Sequence, residues 1–160
     1  MAKSGKTSAA ARLQSVARLS RTALAARLLQ HGFYAGQDQI MLALAETDGL
    51  TPGNLAQRLG VRPPTITKTI NRLQGQGFVE RRASENDSRQ AHIWLTEAGS
   101  DAIRGIEKAV RKTDKQVAKG LDKKELKLLM KLLSRIEANL SEIAPPVVED
   151  DEPDEEAAAA

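Results

Sequence analysis

Residues 51–99 set two short apolar-faced helices, then a pair of alternating segments around a polar ribbon, in immediate succession, and few folds accommodate that order. Thr51 offers a side-chain oxygen to a helix N-terminus, and Pro52 follows where a missing N–H costs nothing. Leu55, Ala56 and Leu59 then make an apolar face that stops at Gly60. The next segment is ambiguous by itself. Thr65-Ile66-Thr67-Lys68-Thr69-Ile70 alternates polar and apolar residues, and its β-branched side chains favour a strand. Yet Ile66, Ile70 and Leu73 also recur at helical spacing, Pro63-Pro64 suits a first helical turn, and Gly77 offers a left-handed stop, so the wider context predicts a helix. With that stripe inward, Pro64, Lys68 and Asn71 point outward, flanked by Thr65, Thr67 and Arg72.

Two helices joined by a tight, glycine-containing turn form a helix-turn-helix unit. Beyond Gly77, Phe78 and Val79 open a strand, and Ala91, Ile93 and Leu95 alternate with His92 and Trp94 in a second. Between them, residues 84–89 are rich in turn formers and end in a cation, Arg89. A hairpin beside such a helix is a winged helix, a shape that offers a helix and a wing to duplex DNA. Trp94 falls on the face opposite Ile93, where packing over the wing base is favoured over stacking beside a sugar-phosphate backbone.

On these residues the chain resembles the multiple-antibiotic-resistance regulator (MarR) family. Leu73, Gly77-Phe78-Val79, Asp87-x-Arg89 and Leu95-Thr96-x-x-Gly99 follow the order and spacing of its signature, and the resemblance extends to about residue 143. It implies a mainly α fold with a small β-hairpin wing, a winged helix-turn-helix carrying N- and C-terminal dimerisation helices, in dimeric repressors or activators. It also implies that Arg89 enters the minor groove, oriented by Asp87; a narrow minor groove concentrates negative potential and attracts a guanidinium. Two departures stand out: Ser88 occupies a place where a basic residue is common, and Pro63-Pro64 lacks two N–H donors that would otherwise meet a phosphate. Thr65 and Arg62 are expected to compensate. The resemblance further implies a cleft for a small aromatic or anionic effector beside the dimer helices, with Arg27, His31 and Tyr34 as candidates to line it.

A two-fold dimer sets two reading heads about one helical turn apart on a pseudo-palindrome. Lys68, Asn71 and Thr67 are expected to reach bases there, Asn71 by pairing doubly with adenine. Pro64 shares their face, while Arg62, Thr65, Arg72, Arg81 and Arg82 are expected to hold phosphates. Charge points to a polyanionic partner once the chain is divided. Against 24 Lys+Arg stand 21 Asp+Glu, a net +3, but seven of the acids lie in 149–156 with no base among them, leaving +10 for the remainder. The first 37 residues hold six bases and no acid. Such a basic body supplies sequence-independent affinity for phosphates, and the acidic tail is a candidate competitor for that surface.

The expected organisation is a disordered basic N-terminus (1–7), dimerisation helices (8–36 and 97–144), a winged helix-turn-helix (37–96) and a disordered acidic tail (145–160). Leu13, Val16, Ala17, Leu24 and Leu28 recur at near-helical spacing in the first arm. Leu126, Leu129, Met130, Leu133, Ile136, Leu140 and Ile143 do so in a helix from 121 to 144, preceded by one from about 97 to 119 capped by Thr96. These arms are expected to pack on one another and on a second copy.

Other chemistries find little support. With Cys 0, disulfides and thiol redox sensing are excluded. His31 and His92 are too isolated for a metal site, no cofactor is implied, and no nucleophile, base and orienting residue stand at a meaningful spacing for an enzyme. Ser4-Gly5-Lys6-Thr7 echoes a phosphate loop but lacks the upstream glycine and strand. With no signal peptide and no long apolar run, a cytoplasmic protein without membrane contact is expected. The expectation is a ligand-responsive, sequence-specific DNA-binding regulator; the alternative is an architectural, nucleoid-type protein that binds duplex without specificity.

Overall fold

The computed structural model describes residues 8–83 and 91–142. In chain order these form α1 (Ala9–Leu29), α2 (Gln37–Glu46), α3 (Pro52–Leu59), α4 (Pro63–Gly75), β1 (Val79–Ala83), β2 (Ala91–Leu95), α5 (Glu97–Val117) and α6 (Lys123–Ser141). The fold is mainly helical with one small antiparallel hairpin, as the sequence pattern predicts. The expected disordered ends, and the tip of the hairpin, fall outside the described residues.

Local chemistry accounts for the boundaries. Thr51 Oγ1 accepts from the Asn54 N–H at 3.1 Å to start α3, and Gly60, at φ 66°, ends it. Thr96 caps α5 through the Gly99 N–H at 3.0 Å and donates its own proton to the Gly77 carbonyl at 2.6 Å, tying the wing base to the end of α4. The expected left-handed stop at Gly77 is present, φ 80°. Asp122 and Glu125 form a reciprocal capping box at α6, which starts two residues after the expected 121.

No period singles out α2, because Ile40, Met41, Ala43 and Leu44 are all buried and its apolar residues run nearly without a break. It is the central strut of the winged helix, lying against α3, α4, α5 and β2. In the hairpin Val79 pairs with Leu95 and Ala83 with Ala91, and Leu50 bridges to Ile93 as a third, single-residue rung. Leu28, Phe33, Leu55, Ile66, Ile70, Leu73, Val79, Ile93 and Ile106 join α2 in one core. Burial pushes the Asp38 carboxyl in the first turn of α2 above its ordinary range, and backbone hydrogen bonds at Asp38, Gln39 and Gly36 oppose that.

Gly99 and Gly49 mark close approaches. A Cβ on Gly99 would stand 2.0 Å from the Phe78 carbonyl oxygen, and one on Gly49 (φ +73°) would stand 2.5 Å from the Trp94 ring. Gly99→Ala therefore forces α5 away from the wing base, and we expect it to cost about 2 kcal/mol or more, read as a lowered urea midpoint. An unchanged midpoint would show that α5 is not seated where the structure puts it.

The arms behave differently from the head. The C-terminal part of α1 leans on α5, with Leu28 fully buried, but Val16 and Leu19 nearer its start are more than half exposed. Helix α6 buries no residue at all. Within one protomer, then, α1 packs on α5, and the apolar stripe of α6 is left uncovered.

Candidate nucleic-acid interface

Ile66, Ile70 and Leu73 are between 0% and 2% exposed, so α4 is fixed in rotation and its opposite side must face solvent. Pro64, Thr67, Lys68, Asn71 and Arg72 are exposed, and Thr65 is half-buried. Residues 63–75 are therefore the helix that the wider context predicts, not the strand of the local alternation. Thr67 and Thr69 donate their hydroxyl protons back to Pro63 (3.0 Å) and Thr65 (2.9 Å), which occupies the donors that β-branched residues bring into a helix. Thr67 thus has acceptor lone pairs left to offer outward. Arg62 is the N-cap residue but makes no side-chain cap bond, so the first turn, with two prolines, has few N–H groups for an anion.

The wing strand adds cations beside this face. Arg81 of β1 donates from Nη2 to Asn71 Oδ1 at 2.6 Å, so the two residues form one unit across the helix–strand boundary. Arg82 is turned the other way. Its guanidinium sits 4.9 Å from the centroid of the Trp94 ring and pairs with Glu80, Nε to Oε1 at 2.7 Å. Of the two, Arg81 is the one directed to α4; Arg82 has its charge answered by Glu80 and braces the wing. Trp94 is half-buried between Gly49 and Arg82, which is the packing role its position predicts. Asp87 and Arg89 lie outside the described residues.

A separate cleft of about 400 Å³ opens where the end of α1 meets α5, lined by Arg27, Gln30, His31, Ala109, Lys112, Lys115 and Gln116. It gathers three lysine or arginine cations and a histidine. Arg27 Nη1 is held by the Ala23 carbonyl at 3.0 Å and lies 3.5 Å from Thr113 Oγ1. Of the three residues expected at an effector site, the structure brings Arg27 and His31 together and leaves Tyr34, 59% exposed, outside the lining. Nothing local distinguishes Lys112, Lys115 and Gln116 from a solvated helix face; they come to line a cleft only by meeting Arg27, some 85 positions earlier.

The turn between α1 and α2 links this cleft to the reading head. Gln37, 1% exposed, donates from Nε2 to Gln76 Oε1 at 2.8 Å, and Gln76 Nε2 donates to the Gly32 carbonyl at 3.1 Å. Phe33 is stacked on Phe78 with centroids 4.5 Å apart. Among the described residues no group of His, Cys, Asp and Glu is arranged to hold a metal ion, and no helix is long and apolar enough to cross a membrane.

Residues 37–90, spanning α2 to the wing, match the model of the MarR family. This segment is similar to the winged helix of MarR-family proteins. The MarR-type fold continues through the arms. A MarR family transcription regulator of known structure is 26% identical over 82% of this chain and 89% of its own, with a TM-score of 0.72. A MarR transcriptional regulator from Methanosarcina mazei is 20% identical over 83% of this chain and 89% of its own, with a TM-score of 0.71. A cysteine-to-serine mutant of E. coli MarR, solved in complex with operator DNA, is 24% identical over 78% of this chain and 89% of its own, with a TM-score of 0.71.

Proposed function

We propose that this MarR-type protein is a homodimeric, sequence-specific DNA-binding transcription regulator of the cytoplasm, acting as a repressor. The observation that carries the reading is the rotational setting of α4: its three apolar anchors are fully buried, so Lys68, Asn71, Thr67 and Pro64 project from a rigid base, with Arg62, Thr65, Arg72 and Arg81 around them. Such a helix fits a major groove, where side-chain donors and acceptors meet base edges. Asp87 and Arg89 would set the wing in the adjacent minor groove. The cation-lined cleft suits a small anionic or aromatic carboxylate effector, with Arg27 and His31 nearest to it and Lys112 and Lys115 in support.

The test is binding to the promoter duplex identified by genome-wide footprinting. Lys68→Ala and Arg89→Ala are each expected to weaken the operator complex about tenfold at moderate salt, by fluorescence anisotropy, while the native chain prefers the operator over random duplex by about a thousandfold or more. If both variants bind as tightly as the parent, this docking is wrong. A preference near unity would instead favour an architectural protein, for which the acid-free first 37 residues would be the main contact.

A further inference from the structure

Resting on the DNA-binding reading above, we infer that Arg81 is a positioning residue that engages the Asn71 carbonyl and sets a guanidinium beside it, so that the pair selects guanine where an unrestrained asparagine would select adenine. Asparagine specifies adenine by using both ends of its amide, accepting from N6 and donating to N7. Here one lone pair of the acceptor end is already engaged by a cation. Arg81 Nη2 lies 2.6 Å from the Asn71 amide, and an arginine only donates, so the atom facing it must be the carbonyl oxygen whichever way the amide was first drawn. The amide protons remain free to meet a base, while the carbonyl's second lone pair lies beside a guanidinium whose own hydrogens oppose an incoming amino group. The remaining hydrogens of the adjoining guanidinium are donors as well.

Two neighbouring donor groups on an exposed helix–wing corner match the one base whose major-groove edge carries two acceptors, O6 and N7 of guanine. Adenine sets its N6 amino group against that surface, donor against donor. The contact spans two elements fixed by separate anchors: Asn71 is held by the burial of Ile70 and Leu73, and Arg81 by the pairing of its strand position with Ile93. Its neighbour Arg82 is drawn off by Glu80 and Trp94, so the two wing arginines do not compete for the same partner.

The experiment is selection of randomised duplexes on the full-length chain, followed by binding of single-base variants of the winning site. The Asn71→Ala variant identifies the half-site position that Asn71 reads, as the one whose preference it erases. The native chain is expected to prefer guanine over adenine there by about tenfold, Arg81→Ala to reverse the order, and Arg81→Lys, which restores a donor, to return it to guanine. A purely structural or phosphate-holding Arg81 would lower affinity for every sequence alike and leave the order intact, and that result overturns the inference. So does a native preference for adenine. If the native chain enriches no sequence at all, the sequence-specific reading fails and this inference falls with it, a result distinct from a selected site whose order ignores Arg81.

Discussion

Leu126→Glu combined with Leu140→Glu is expected to split the proposed homodimer into folded monomers and to lower operator affinity by about a hundredfold or more. Both side chains lie on the uncovered stripe of α6 and are 37% and 54% exposed, so glutamate there displaces little within the protomer. Far-UV circular dichroism should therefore be unchanged. Across a two-fold interface the same carboxylates would be buried against apolar partners, a cost that a dimer does not survive. Loss of the second reading head removes the effective-concentration gain of a two-headed complex, which is worth two to four orders of magnitude. Sedimentation equilibrium and anisotropy titration check the two halves separately. A double variant that sediments as a dimer would place the interface elsewhere.

Phe33→Ala is expected to destabilise the fold by about 3–5 kcal/mol, one of the largest losses available to a single substitution here. Phe33 is fully buried, and its ring packs on Phe78 at the corner where α1, α2, the end of α4 and β1 converge. Aromatics are scarce in this chain, so beyond Phe78 itself little aromatic bulk is on hand to fill the void. Calorimetry should show a transition lowered by many degrees. A loss below about 1 kcal/mol would mean that the corner collapses around the void and that the turn is not a fixed part of the core.

How far the fold was legible differs by element. The reading head was plain because its signals are local: Thr51, Gly60, Thr96 and Gly77 mark ends through their own hydrogen bonds or φ values. The α4 stripe survived a misleading alternation because Ile66, Ile70 and Leu73 satisfy a helical period that a strand would break. By contrast α2 has no polar face to create a period, and its burial depends on elements that arrive later in the chain. At the candidate site, single residues were legible and pairings were not. Nothing about Asn71 and Arg81 in sequence says that one occupies the other's carbonyl, because that depends on how a strand leaves the end of a helix. The cleft is a similar case: the histidine and arginine before α2 are a local cluster, whereas the lysines of α5 reach it only through packing.

The amide relay of Gly32, Gln76 and Gln37, with the Phe33–Phe78 stack beside it, makes the α1–α2 turn a stiff joint rather than a pivot. Two hydrogen bonds and a ring contact must break before that turn and the last residues of α4 can separate. The end of α1 and α4 are thus tied through these contacts, so that a tilt imposed at one would pull on the other.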